Sequence, residues 1–284
     1  MPIVNRLTIV GLGLIGGSLG LAVKRRHVAK EVIGLSRHPA TLRRARASRA
    51  IDWGTTRVGE AVREADLIIV ATPVDTIVPL AHRIATSMRP GSVLSDVGST
   101  KAAIVGALER TLPPRIAFVG AHPLAGSEQQ GLSAASPTLF DGSTCVLTPT
   151  MRTDRRALRR VDRFWSALGA DVITMTPQAH DRLVARTSHL PHLLAYALTQ
   201  AMTIAPLSRA PRSFLDMTRI AKSAPELWDD IFLSNRAELL DALRRFEQEW
   251  RALRRAIVHG DRRTLRHLLT RAHAKRHALK DGDT

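Results

Sequence analysis

Short apolar runs alternate with helical patterns over the first part of the chain. Leu7–Val10, Val32–Leu35, Leu67–Ala71, Val93–Asp96, Phe118–Ala121, Cys145–Thr148 and Val172–Met175 are strand candidates, the first of them a short buried strand. This rhythm predicts an α/β fold with a doubly wound parallel sheet. Near Pro177 the strand pattern ends and the remainder reads as helices, with Pro191 and Pro206 punctuating the early part. Two domains follow from this change of pattern, 1–176 and 177–284. The most regular helix runs from about Arg236 to His259, where Leu239, Leu243, Phe246, Trp250, Leu253 and Ile257 are spaced alternately four and three residues apart. Such a stripe packs either into an intramolecular core or against a second subunit. Gly260-Asp261 then stops this helix and caps another carrying Leu265, Leu268 and Leu269.

The first apolar run leads into Gly11-Leu12-Gly13-Leu14-Ile15-Gly16-Gly17-Ser18 and then an amphipathic segment through Lys24. This is a G-x-G-x-x-G turn between a strand and a helix, the setting in which it binds a dinucleotide. Gly11 allows the tight turn, Gly13 lets the backbone approach a pyrophosphate and Gly16 lets the helix sit close on the strand, while the amides at the helix start, around Leu14 and Ile15, face the anion. A Rossmann-type domain is therefore expected. The second strand ends in Ser36-Arg37, with Arg43, Arg44 and Arg46 close behind, and no carboxylate stands where a free ribose 2′-hydroxyl would need one. A small hydroxyl followed by a guanidinium suits a 2′-phosphate, so NADP is expected in preference to NAD.

In open sheets of this kind ligands gather beyond the carboxyl ends of the strands. Three polar turns fall there: Thr72-Pro73-Val74, Asp96-Val97-Gly98-Ser99-Thr100-Lys101 and His122-Pro123-Leu124-Ala125-Gly126-Ser127-Glu128. They are expected to converge on the nicotinamide. His122 is suited to accept a hydroxyl proton when hydride leaves the carbon bearing that hydroxyl, since histidine ordinarily titrates near neutrality.

Composition narrows the alternatives. With 284 residues, 44% of them apolar, the chain can bury a sizeable core. Cys145 is its one cysteine, so an intrachain disulfide and a thiolate metal cluster are both excluded. No apolar run approaches bilayer-spanning length and the first residues lack the layout of a secretion signal, so a soluble cytoplasmic protein without a membrane partner is expected. The net charge of +17 invites a nucleic-acid reading. That excess is spread over both parts of the chain, is nearly all Arg, and accompanies only 4% aromatic residues, so no basic and aromatic platform is present. A basic field also attracts a polyanionic substrate and cofactor.

Five ordered motifs now stand together: Gly11 to Ser18, Asp96 to Lys101, His122 to Glu128, Ser188-His189-Leu190-Pro191-His192, and Asp216-Met217-Thr218-Arg219-Ile220-Ala221-Lys222-Ser223 with Trp228 beyond. In these the chain resembles, over nearly its whole length, the prephenate and arogenate dehydrogenase family of tyrosine biosynthesis. The resemblance implies a nucleotide-binding domain joined to an all-helical domain that dimerises, with the active site in the cleft between them. It implies an oxidative decarboxylation of a cyclohexadienyl ring: hydride passes from the carbinol carbon to the nicotinamide, the ring carboxylate leaves as carbon dioxide, and aromatisation drives the sum.

By the same resemblance His122 accepts the ring-hydroxyl proton and Ser99 hydrogen-bonds near that hydroxyl, holding imidazole and cofactor in register. Arg219 looks like the carboxylate clamp, a task that suits a bidentate guanidinium. His192, with Ser188 and His189, lines the opposite wall, and Ser127, Glu128 and Trp228 complete the pocket. Ser99-Thr100 as a plain helix cap and Trp228 as core are the competing structural readings. No metal is expected, because His189 and His192 lack a carboxylate at ligand spacing and the reaction needs no Lewis acid. Many family members carry an acidic residue where Ser36 stands, and some prephenate-using members carry Lys where Leu215 stands, so the choice between prephenate and arogenate stays open. Rival readings are an imine reductase or β-hydroxyacid dehydrogenase of similar architecture, or a non-catalytic NADP-sensing regulator.

Overall fold

The computed structural model describes residues 2–203 and 210–279, so Pro206 lies outside the described residues. The chain divides into two compact units, Met1–Arg236 and Ala237–Thr284. In the first unit six strands, β1 (Val4–Val10), β2 (Ala29–Leu35), β3 (Trp53–Thr55), β4 (Leu67–Val70), β5 (Val93–Asp96) and β6 (Ala117–Val119), form one sheet in the order β3-β2-β1-β4-β5-β6. All its pairings are parallel. This is the doubly wound Rossmann order, with its switch point between β1 and β4, where a ligand crevice opens beyond the strand ends.

Both faces of the sheet are covered, which explains the unbroken apolar runs. Leu7, Ile9, Val32, Leu67 and Ile69 pack on one side with Leu19 and Val23 of α1 (Leu14–Arg25) and Phe164 and Trp165 of α6 (Arg155–Ala167). Val10, Ile33, Ile68, Val70 and Leu94 pack on the other. There they meet α3 (Val58–Val62), α4 (Val74–Ala85) and α5 (Ala102–Thr111) through Val62, Ile77, Ile84, Ile104 and Leu108. Between β2 and β3 lies α2 (Pro39–Ala47).

Two strand expectations are corrected. The run Phe118–Ala121 is not one strand: β6 ends at Val119 and β7 (Ala121–Pro123) begins a separate sheet, β7-β8-β9, with β8 (Thr144–Leu147) and β9 (Asp171–Thr174). The break falls at Gly120, where a Cβ would lie 2.6 Å from the Thr148 hydroxyl and 2.8 Å from a Val105 methyl. Close packing at one residue thus moves the chain from sheet to sheet, and hydropathy carries no trace of it. β7 runs antiparallel to β8 and sets His122 opposite Val146. The other correction is β3, whose three half-buried residues are too few to show a period.

After β9 the described chain is helical. Thr176 caps α7 (Pro177–Val184) by accepting the amide of Ala179 at 3.2 Å, and Pro177 occupies the first turn, where a missing N–H costs nothing. A wider π turn, Ala185–His189, leads directly into α8 (Leu190–Gln200). Pro191 has no amide to donate into the helix it interrupts, and the chain accommodates this by widening the turn just before it. Helices α9 (Arg212–Thr218) and α10 (Pro225–Ser234) follow, separated by a short 3-10 turn, Arg219–Lys222.

The second unit is described by itself. It holds nearly all of α11 (Arg236–Val258) and the whole of α12 (Arg262–His277), joined at Gly260, whose φ of 63° suits the left-handed end of a helix. Asp261 caps α12 by accepting the amide of Thr264 at 3.0 Å. Along the predicted stripe Leu239 is buried, whereas Trp250 and Ile257 are exposed at 57% and 65%. An intramolecular core therefore does not account for the whole stripe.

At Gly16 a Cβ would fall 1.9 Å from the Gly11 carbonyl oxygen, whereas at Gly13 it would meet no atom within 4 Å. Gly16→Ala is expected to lower stability by roughly 1–3 kcal/mol through overpacking. Gly13→Ala is expected to stay within about 0.5 kcal/mol of the parent. Thermal unfolding of the two variants checks the contrast.

Candidate functional site

The glycine turn has the shape a dinucleotide requires. Gly11 has φ of 91°, and a Cβ there would strike the Ala71 carbonyl oxygen at 2.6 Å and the Thr72 methyl at 2.8 Å, so only glycine fits beneath the turn after β4. The empty space above Gly13 is a cradle into which a phosphate can come up against backbone. The opening amides of α1, from Leu14 and Ile15 onward, receive no side-chain cap and so remain available to an anion. Thr72 holds Thr76 at 2.8 Å, hydroxyl to hydroxyl, and Pro73 precedes the first turn of α4, fixing the neighbouring strand end. Ser36 follows β2, where its hydroxyl accepts the His38 amide at 3.2 Å, and Arg37 is exposed beside it. These residues fit a nicotinamide dinucleotide.

A buried ion pair organises the turn after β5. Asp96 and Lys101 are both wholly buried and pair directly. The other contacts of Asp96 tie the turn together: Oδ2 accepts the Gly98 amide at 2.8 Å and Oδ1 accepts the Ala121 amide at 3.3 Å. One carboxylate thus fastens the turn carrying Ser99 to the strand carrying His122. Ser99 is half-buried there, and its neighbour Thr100 accepts a hydrogen bond from Ser234 on α10 at 3.1 Å.

His122 does not stand alone. Its Nδ1 lies 2.8 Å from Nε2 of His180, and Nδ1 of His180 lies 2.7 Å from Oδ1 of Asp181. Asp181 also accepts the amides of Lys101 at 2.7 Å and Ala102 at 2.9 Å, capping α5 from outside its own sequence neighbourhood. Burial pushes the Asp181 carboxyl up, but the His180 bond and the two amides outweigh it and leave the group below the usual carboxylate range. His122 titrates well below the ordinary imidazole value, first through burial and then because a positive charge on His180, Lys101 or His189 disfavours a second one on His122. It is therefore neutral at neutral pH.

The opposite wall is built from the π turn and α8. His189 is buried, and its Nδ1 accepts from the Asn235 side-chain amide at 3.2 Å, which also donates to the Asp181 carbonyl at 2.8 Å. Burial pulls its value down to about 4. His192 donates from Nδ1 to the Ser188 carbonyl at 2.8 Å and stacks on Trp228, with ring centroids 3.5 Å apart. Trp228 is both core and wall: only 7% exposed, it belongs to the apolar cluster over β4 and β5 and offers one face to His192. Arg219 pairs with Glu128 at 3.0 Å, and its field also lowers the value of His192 after burial has done so. A backbone hydrogen bond and then the Arg219 and Lys222 charges hold the Glu128 carboxyl low. Ser127 is exposed, and its hydroxyl accepts the Gln129 amide at 3.2 Å.

The structure thus joins His122 to a pair that sequence reasoning missed, His180-Asp181. In the sequence these are two polar residues near the start of a helix, a pattern shared by any solvated face. The unused signal was their position, immediately after the last strand. His189 and His192 hydrogen-bond to different groups, Asn235 and the Ser188 carbonyl, and no grouping of three metal-ligating side chains occurs among the described residues.

Histidines held neutral by burial make acid costly to the fold. The unfolded chain takes up a proton near 6.5 where the folded one does not, so stability present above that value is lost as pH falls. For His189 the loss runs from about 6.5 to its folded value of about 4, at up to about 1.4 kcal/mol per pH unit. The urea midpoint is expected to drop steadily from about pH 7 to about pH 5. A flat profile over that range contradicts this account of the buried histidines.

Known proteins share this fold over nearly the whole chain. Residues 19–174 match the family described as prephenate dehydrogenase, nucleotide-binding domain, and residues 176–271 match prephenate dehydrogenase, dimerization domain. The cyclohexadienyl dehydrogenase of Zymomonas mobilis is 35% identical over 92% of this chain and 91% of its own length. Among solved structures, a prephenate dehydrogenase from A. aeolicus in complex with hydroxyphenyl propionate and NAD+ superposes with a TM-score of 0.90 at 33% identity, covering 97% of this chain and 98% of that one. The Synechocystis arogenate dehydrogenase gives a TM-score of 0.81 at 30% identity, over 95% and 98%. A 3-hydroxyisobutyrate dehydrogenase from Salmonella typhimurium, at 16% identity and a TM-score of 0.56, shares the fold alone, so the β-hydroxyacid dehydrogenase reading is not favoured. The chain belongs to the prephenate dehydrogenase family and is an oxidoreductase of the prephenate/arogenate class that uses a nicotinamide cofactor.

Proposed function

We propose that this chain oxidises and decarboxylates a cyclohexadienyl substrate, prephenate or arogenate, with His122 as the base and NADP as the preferred cofactor. The observation that carries the reading is the placement of the half-buried His122, one strand end away from the Ser99 turn and tied to it through Asp96, where burial holds the imidazole below its ordinary value. A neutral imidazole takes a hydroxyl proton, and an imidazolium does not. The bound nicotinamide supplies the acceptor for the hydride released from the carbinol carbon.

The chain's own residues do the rest. His122 removes the hydroxyl proton, and Ser99 hydrogen-bonds beside it. Arg219 holds a substrate carboxylate by exchanging it for Glu128, its present partner at 3.0 Å. His192, braced on Trp228, forms the wall together with Ser188 and His189, while Ser127 and Glu128 close the pocket. The cofactor is held by Gly11, Gly13, Leu14, Ile15, Gly16, Thr72, Pro73 and Ser99, and the 2′-phosphate by Ser36 and Arg37. No carboxylate follows β2 to repel that phosphate.

We further propose a division into a nucleotide-binding domain, 1–176, and a helical substrate-binding and dimerisation domain, 177–284. The family matches change over between 174 and 176, in support of that boundary. A homodimer through the helical domain is supported by the exposed apolar residues Trp250 and Ile257 on α11, and a cytoplasmic setting goes with the enzyme.

His122→Asn is expected to lower kcat by on the order of a hundredfold or more while cofactor affinity is retained. Turnover of this variant with cofactor titration alongside checks it, and near-normal turnover removes His122 from the mechanism. Initial rates that cross prephenate and arogenate with NAD and NADP are expected to show higher kcat/KM with NADP. A clear preference for NAD overturns the reading of Ser36 and Arg37, and the same four rates identify the substrate.

A further inference from the structure

We propose that His180 and Asp181 are the positioning pair of the reaction, fixing which nitrogen of His122 is bare and taking over the positive charge that His122 acquires. This rests on the reading of His122 as the base. The argument begins at Asp181, whose carboxylate accepts two amides of the α5 terminus and offers Oδ1 to Nδ1 of His180 at 2.7 Å. A carboxylate only accepts, so His180 donates from Nδ1, and with a single ring proton it presents Nε2 as a bare acceptor. That acceptor lies 2.8 Å from Nδ1 of His122. His122 therefore carries its proton on Nδ1, and its Nε2 is left with a free lone pair. Three hydrogen bonds thus choose the tautomer of the base, starting from a helix terminus.

The same chain accommodates the charge. The charged and titrating groups that act on His122 are Lys101 from the turn after β5, paired with Asp96 at the end of that strand, His189 from the π turn and His180 from α7, with Cys145 buried on β8. Asp96 is engaged by Lys101 and by backbone amides, so that carboxylate is not free to balance a cation on His122. His180 has such a partner in Asp181. As the substrate O–H bond breaks and an N–H bond forms at Nε2 of His122, the N–H bond at Nδ1 of His122 breaks and one forms at Nε2 of His180. His122 ends neutral and His180 ends as an imidazolium against the Asp181 carboxylate. No electrons change hands in this transfer, and the proton returns by the reverse path to solvent after product leaves. A direct consequence is that two protons are in motion when hydride departs.

His180→Gln tests the assignment, because the amide accepts from His122 and donates to Asp181 but holds no extra proton. In the full-length enzyme with saturating cofactor, the single-turnover rate of hydride transfer is expected to fall roughly tenfold to a hundredfold, with substrate KM changed less than about twofold. The rate in mixed H2O and D2O is expected to change from the curved dependence of two moving protons to the straight line of one. A rate within about twofold of the parent, or a slowed rate that keeps the curvature, overturns the assignment. Should His180→Gln fail to fold, Asp181→Asn answers the same question, since it keeps one oxygen to accept the Lys101 amide and the His180 ring N–H, gives up the acceptor of the Ala102 amide, and removes the charge that stabilises the imidazolium. The same slowing and the same straight line are expected there, and their absence is equally fatal. His122→Asn separates the two readings: if it is inactive while His180→Gln is normal, the pair fails and the base stands, and if His122→Asn is itself near normal, the base reading fails.

Discussion

A single carboxylate, Asp181, sits where the sheet and the helices that follow it meet. It accepts two amides from the start of α5 and one ring N–H from His180, and its own carbonyl accepts from Asn235. Each of those donors is buried or nearly so, and an orphaned buried donor costs about 1–3 kcal/mol. The placement is therefore strongly determined. Helix α7 cannot shift along α5 without breaking several bonds together, and with it the position of His180 against His122 is set.

Asp96 does the corresponding work at the end of β5. It and Lys101 form an ion pair without solvent access, and such pairs are poor sources of stability because desolvation offsets most of the attraction. What the pair supplies instead is geometry and field. Asp96 binds the Ser99 turn and the start of β7, and the Lys101 charge adds to burial in disfavouring a cation on His122. The His122 imidazole is thus held below its ordinary value by its surroundings and bonded to a partner that reaches it from a different part of the chain.

The fold was largely legible because its signals are local. Each main-sheet strand from β1 to β5 except β3 is a buried run, and the glycine turn declares itself by spacing, so the Rossmann order follows from a few topological rules. The helix stop at Gly260 and the cap at Asp261 were likewise local, one a left-handed residue and the other a side chain reaching an amide three residues on. The split of Phe118–Ala121 was not legible. It depends on what packs against Gly120, namely Thr148 and Val105, and neither neighbour is nearby in sequence.

Residue type and spacing by themselves determined the chemistry available to this protein: a turn that admits a pyrophosphate, a strand end without a carboxylate, a histidine beyond a strand, an arginine able to hold a carboxylate. Those properties belong to single side chains or to short stretches of backbone. Only the tertiary structure decided that His122 meets His180, 58 residues away, and that Asp181 reaches the amides of α5 across 80 residues. A titrating group's state is a property of its surroundings, and here those surroundings come from β5, β7, α7 and the π turn at once.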